Sequence, residues 1–100
     1  MKVYEGERSL AGALVTVNGA PLAPRLDLRR FNRTGFDWTY VGAAPRQLAL
    51  ALLADHLGDD RKALALCEGF METVVAQLDN AWRLTSDEIA EALAAMPAES

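Results

Sequence analysis

Gly35-Phe36-Asp37-Trp38-Thr39-Tyr40-Val41-Gly42 runs into Ala43-Ala44-Pro45-Arg46-Gln47-Leu48-Ala49-Leu50-Ala51-Leu52-Leu53-Ala54-Asp55-His56-Leu57-Gly58, and the reading of this stretch decides the fold. The first part alternates aromatic and polar residues between two glycines. That pattern predicts a strand over residues 36–41 with Phe36, Trp38 and Tyr40 on one face. The second part is dominated by alanine and leucine and has an early proline. It predicts a helix over residues 44–57, with Pro45 at the first helical position, where a missing N–H costs nothing. Apolar residues surround most of this helix, so it belongs at the centre of the core. Gly58 ends it.

Working towards the N-terminus, residues 2–5 and 13–17 read as short strands. Ala13, Val15 and Val17 share one face of the second, and Leu14 and Thr16 the other. Asn18-Gly19 supplies a turn, because both residues tolerate positive φ. Pro21 and Pro24 limit the next segment to a short edge strand around Leu22. Residues 25–34 have the least regular pattern and predict a partly ordered loop.

Towards the C-terminus, Asp59 or Asp60 caps a second helix running to about Leu78. Leu64, Cys67, Phe70, Met71, Val74, Val75 and Leu78 make its apolar stripe. Gly69 within it allows a close approach by Trp38 or another helix. Trp82-Arg83-Leu84 reads as an extra strand. Thr85 with Glu88 makes a capping box for a last helix, whose apolar face is Ile89, Ala92, Leu93 and Met96. Pro97 stops it. The expectation is one α+β domain over residues 1–100, a small antiparallel sheet of three to four short strands packed against three helices.

Composition narrows the function classes. The chain has 100 residues, 51% of them hydrophobic and 24% charged, and a net charge of −4. That is a globular composition with room for one core. The balance argues against a strongly basic nucleic-acid binder. Residues 1–46 nevertheless carry a basic excess and residues 47–100 a larger acidic one, so the protein is dipolar. A single cysteine, Cys67, precludes an internal disulfide. With no apolar leader at the N-terminus, the expected location is cytoplasmic.

No residue cluster specifies a reaction, and neither a cofactor nor a metal is expected. Asp55-His56 with Asp59-Asp60 is the sole grouping with a catalytic or metal-binding look. One histidine without a second nitrogen or thiolate ligand reads better as a helix end followed by a helix start. Cys67 sits in an apolar stripe and reads as a buried thiol. The glycines match neither the Rossmann nor the Walker spacing. Tyr4, Trp38, Tyr40 and Trp82 read as core aromatics rather than a ligand patch.

Arg25, Arg29, Arg30 and Arg33 crowd one loop together with Phe31 and Asn32. Arginine forks take carboxylates or phosphates bidentately. The bland reading is a solvated loop partly neutralised by Asp27 and the acidic helices. The functional reading makes these four arginines a partner-binding surface.

The blocks Val3-Tyr4-Glu5-Gly6, Val15-Thr16-Val17-Asn18-Gly19, Gly35 through Gly42 and Pro45 through Asp55, continued by Val74-Val75 and Trp82-Arg83-Leu84-Thr85, carry a family likeness. The chain resembles a family of small uncharacterised domains of bacteria, archaea and phages, over about nine-tenths of its length by the span of those blocks. The resemblance implies a compact α+β domain often found on mobile elements. It supplies no reaction, cofactor or catalytic residue, and the arginine loop is not part of its pattern. The expected function is non-enzymatic protein binding by a monomer or homodimer, for instance a phage inhibitor of a host defence complex such as a CRISPR effector. The alternative is a nucleic-acid-binding accessory protein that uses the loop at 25–33.

Overall fold

The computed structural model describes residues 2–10, 12–32 and 35–96. The apolar run at 48–54 does what its composition demands. It lies in helix α1 (Ala43–Leu57), and every one of its residues is buried. The helix starts at Ala43, one residue before the expected span, and Pro45 stands at its third position rather than its first. Its missing N–H is harmless there too, because the first four N–H groups of a helix have no intrahelical partner. Gly58, at φ 65, closes the helix and donates its N–H to the Ala54 carbonyl at 3.1 Å.

Helix α2 (Asp60–Thr73) follows at once. Asp59 caps it by accepting the Lys62 N–H at 3.1 Å. It ends earlier than its apolar stripe suggested, and a 3-10 turn over Val75–Gln77 replaces the last helical turn. Ala63, Cys67, Phe70 and Met71 face inward. Leu64 belongs to the same stripe by spacing but is exposed, because it lies at the stripe's edge. The close approach at Gly69 comes from Met96, whose Cε lies 2.8 Å from where a Cβ would sit.

Among the described residues the sheet has four antiparallel strands in the order β3-β2-β1-β4, where β1 is Val3–Ser9, β2 Gly12–Val17, β3 Ala20–Pro21 and β4 Trp82–Thr85. With the three helices this is the expected α+β architecture. Asn18, at φ 50, and Gly19, at φ 85, make the β2–β3 turn. The edge strand falls just before Leu22, whose N–H still reaches the Val15 carbonyl at 3.0 Å. Tyr4 and Gly6 point from β1 into the core, and Glu5 and Glu7 point away. Helix α3 (Ser86–Ala95) starts with the predicted capping box between Thr85 and Glu88.

Residues 36–41 depart from expectation, for they form no strand. Thr39 sits at φ 79, a conformation β-branched residues rarely take, and it turns the chain out of an extended path. Trp38 is fully buried against the edge of Trp82, ring centroids 5.7 Å apart, whereas Phe36 is half-buried and Tyr40 exposed. The three aromatics therefore share no face. Of the four candidate core aromatics, Tyr4, Trp38 and Trp82 are in the core and Tyr40 is not.

Candidate functional site

Gln47 is an amide in an otherwise apolar stretch of α1, and it is fully buried. A buried amide must use its donors and acceptors or lose their solvation. Gln47 uses all of them on the arginine loop. Its Nε2 donates to the carbonyls of Pro24 at 2.7 Å and Arg29 at 3.1 Å, and its Oε1 accepts the N–H groups of Phe31 at 2.8 Å and Asn32 at 3.2 Å. One side chain thus stands in for the strand neighbour that this segment lacks. Sequence reasoning missed it. The available signal was an uncharged polar residue amid alanines and leucines.

The loop is ordered from within as well. Arg25 adopts φ 56, and the Leu28 N–H closes a turn on its carbonyl at 3.1 Å. Asn32 Nδ2 donates to the Gly35 carbonyl at 2.7 Å. The arginines then part company. Arg25 is held by Asp27 at 3.1 Å and by Asp60, at the start of α2, at 3.3 Å. The Asp27 carboxyl is held below its ordinary range by its hydrogen bond to Arg25. Arg29 and Arg30 are exposed. The Arg29 guanidinium lies 5.4 Å from the Phe31 ring centroid, and Arg46 from α1 lies 5.3 Å from the same ring. Arg46 also pairs with Glu68 at 2.7 Å. Arg33 lies outside the described residues.

Two other polar clusters are structural in form. Arg8, from β1, reaches over the irregular segment. It donates to Asp37 Oδ1 from Nε at 3.0 Å and from Nη2 at 2.6 Å, to the Trp38 carbonyl at 2.5 Å, to Thr39 Oγ1 at 3.0 Å and to Asn80 Oδ1 at 2.6 Å. Its guanidinium also stands 5.0 Å from the Trp38 ring centroid. Partial burial opposes ionisation of Asp37, but hydrogen bonds from Arg8, the Trp38 N–H and Tyr40 outweigh it and hold the carboxyl below its usual range. In the second cluster, the Tyr4 hydroxyl donates to Asp55 Oδ2 at 2.6 Å, and Lys2 Nζ reaches the same oxygen at 3.0 Å. Burial, then the hydrogen bond to Asp55, pushes the Tyr4 phenol well above its usual pKa.

His56 lies in the last turn of α1, where the sequence placed it. Among the described residues, no three His, Cys, Asp or Glu side chains converge to hold a metal. Cys67 is buried, and burial pushes its thiol pKa up. No helix among the described residues is long and apolar enough to cross a membrane.

Fold and site together define a small α+β domain whose least regular segment is an arginine-bearing loop fastened to the core. Residues 4–95 match a family of unknown function, DUF6166, and the chain belongs to that family. No curated protein and no solved structure matches it.

Proposed function

We propose that this protein is a non-enzymatic binding module whose working surface is the arginine loop, and that its partner is an acidic protein surface. The observation that carries the proposal is Gln47. Four hydrogen bonds from one buried side chain fix the backbone that bears the exposed Arg29 and Arg30. A loop held this way gives up little conformational freedom on binding. Arg25 supports the surface from behind by tying the loop to α2. Arg33, the fourth arginine of the proposed surface, comes directly after Asn32 in sequence. A phage or mobile-element protein that blocks a host defence complex, such as a CRISPR effector, is the specific form of this reading. Its support is the small size and the opposed charge of the two halves.

Nucleic acid is the second reading, favoured by the exposed Arg29 and Arg30. Against it, the Phe31 ring already carries two guanidinium groups and is poorly placed to stack on a base. The test is affinity capture from the native host, followed by direct titration of the captured protein. Arg29→Glu with Arg30→Glu is expected to weaken that binding by roughly a hundredfold, the scale of two lost charge-assisted contacts. Unchanged affinity overturns the assignment of the surface. A mobility shift with steep salt dependence would move the reading to nucleic acid.

A further inference from the structure

A cleft of about 280 Å³ opens between the β2–β3 edge and α1. Val17, Pro21 and Ala23 give it accessible apolar surface above the buried Leu22 and Ala51, and Arg25 and Asp55 also line it. Two charges of opposite sign beside a few apolar side chains match the chemistry of a molecule that carries both an ammonium and a carboxylate on a short hydrocarbon. We infer that this cleft is a binding site for a small zwitterion, an α-amino acid with an aliphatic side chain.

Both charged groups are held in place and both keep unused capacity. Asp55 takes the Tyr4 hydroxyl and the Lys2 ammonium on Oδ2, while its Oδ1 accepts no hydrogen bond among the described residues. Tyr4 is fully buried, so the carboxylate is anchored from the core rather than free on the surface. Arg25 spends Nε and Nη2 on Asp27 and Asp60, and its Nη1 makes no hydrogen bond among the described residues. Side chains already ordered by other partners lose little entropy when a ligand arrives. Asp55 supplies the acceptor for the ammonium and Arg25 the donor for the carboxylate, with the aliphatic side chain lying on Val17, Pro21 and Ala23. The volume lies just under the usual range of about 300–1,000 Å³ for drug-sized ligands, which suits a single amino acid and not a nucleotide. The inference does not rest on the proposed partner surface, with which it shares only Arg25; the exposed arginines of that surface are Arg29 and Arg30.

The experiment is an amide chemical-shift titration of the full chain with L-leucine, 3-methylbutylamine and 4-methylpentanoate. L-leucine is expected to shift the amides of Leu22, Ala23 and Ala51 saturably, and each half-molecule to bind at least roughly tenfold more weakly, since each lacks one charged contact. Arg25→Met is expected to lower leucine affinity to that of the amine, and Asp55→Asn to that of the acid, which leaves an oxygen for the Tyr4 hydroxyl. Absence of saturable shifts at these amides with wild type overturns the site. Equal binding of leucine and either half-molecule overturns the zwitterion assignment, and neither result depends on whether a variant folds.

Discussion

The side-chain oxygen of Gln47 accepts the N–H of Phe31 at 2.8 Å, from a helix position with no exposure to solvent. Gln47→Ala removes this bond together with those to Pro24, Arg29 and Asn32, and leaves a cavity where the amide stood. The expected cost is about 2–4 kcal/mol, the range for losing a buried, fully bonded polar group. Urea unfolding measures it. Hydrogen exchange at Phe31 and Asn32 gives the local readout, and unchanged protection there would refute the stapling role.

Arg8 joins the β1 strand to Asp37, Trp38, Thr39 and Asn80. Arg8→Met keeps the aliphatic stem and deletes every one of those donors. The pair with Asp37 is partly solvated, so the expected loss is modest, about 1–2 kcal/mol. Near-ultraviolet circular dichroism should also change, because Trp38 loses the group standing over its ring. A spectrum and a midpoint equal to wild type would contradict the assignment.

Asp37 has a pH signature. Its carboxyl titrates below the ordinary value of 3.8 in the folded state. A depressed folded pKa adds stability that is fully present above the unfolded value and disappears as pH falls through the folded one. The contribution of Asp37 should therefore begin to fall below about pH 4, near the unfolded aspartate value, and be gone once pH passes below the folded pKa. Asp37→Asn should flatten the acid limb of stability against pH relative to wild type. Parallel acid limbs for the two proteins would rule this out.

Gly6 lies under Trp82, and an added Cβ would overlap the indole ring. Gly6→Ala must displace that ring from its edge-on contact with Trp38. Overpacking of this kind costs about 1–3 kcal/mol. Thermal unfolding followed by tryptophan fluorescence checks it, and a variant as stable as wild type would show that the indole has room to move.

Cys67 should behave as an inert thiol. Burial raises its pKa, which keeps the reactive thiolate scarce. Labelling with a disulfide reagent at neutral pH is expected to be slow and to accelerate with denaturant as the protein unfolds. Rapid labelling of the native protein would mean that α2 opens locally.

Much of the architecture was written in short-range pattern. Alanine and leucine without a polar face put α1 at the centre, Gly58 and Asp59 set the break between α1 and α2, and Thr85 with Glu88 started α3. These signals act within a few residues and need no distant partner. The strand at Trp82–Thr85 was readable for the same reason.

The aromatic segment and the arginine loop were decided elsewhere. Alternation at residues 36–41 looks like a strand, but Trp38 gains more by burial against Trp82, and Arg8, far away in sequence, clamps the backbone that remains. The arginines were visible as a cluster, yet their roles depend on Asp60, Phe31 and Gln47 coming to them through the fold. Local pattern thus determined the helices, their caps and the core that this chain would build. Tertiary structure alone decided that residues 36–41 leave the sheet and that a buried glutamine holds the arginine loop. The reason is physical: an isolated segment has no neighbour to satisfy its backbone, and only the assembled fold chooses which side chain will do so.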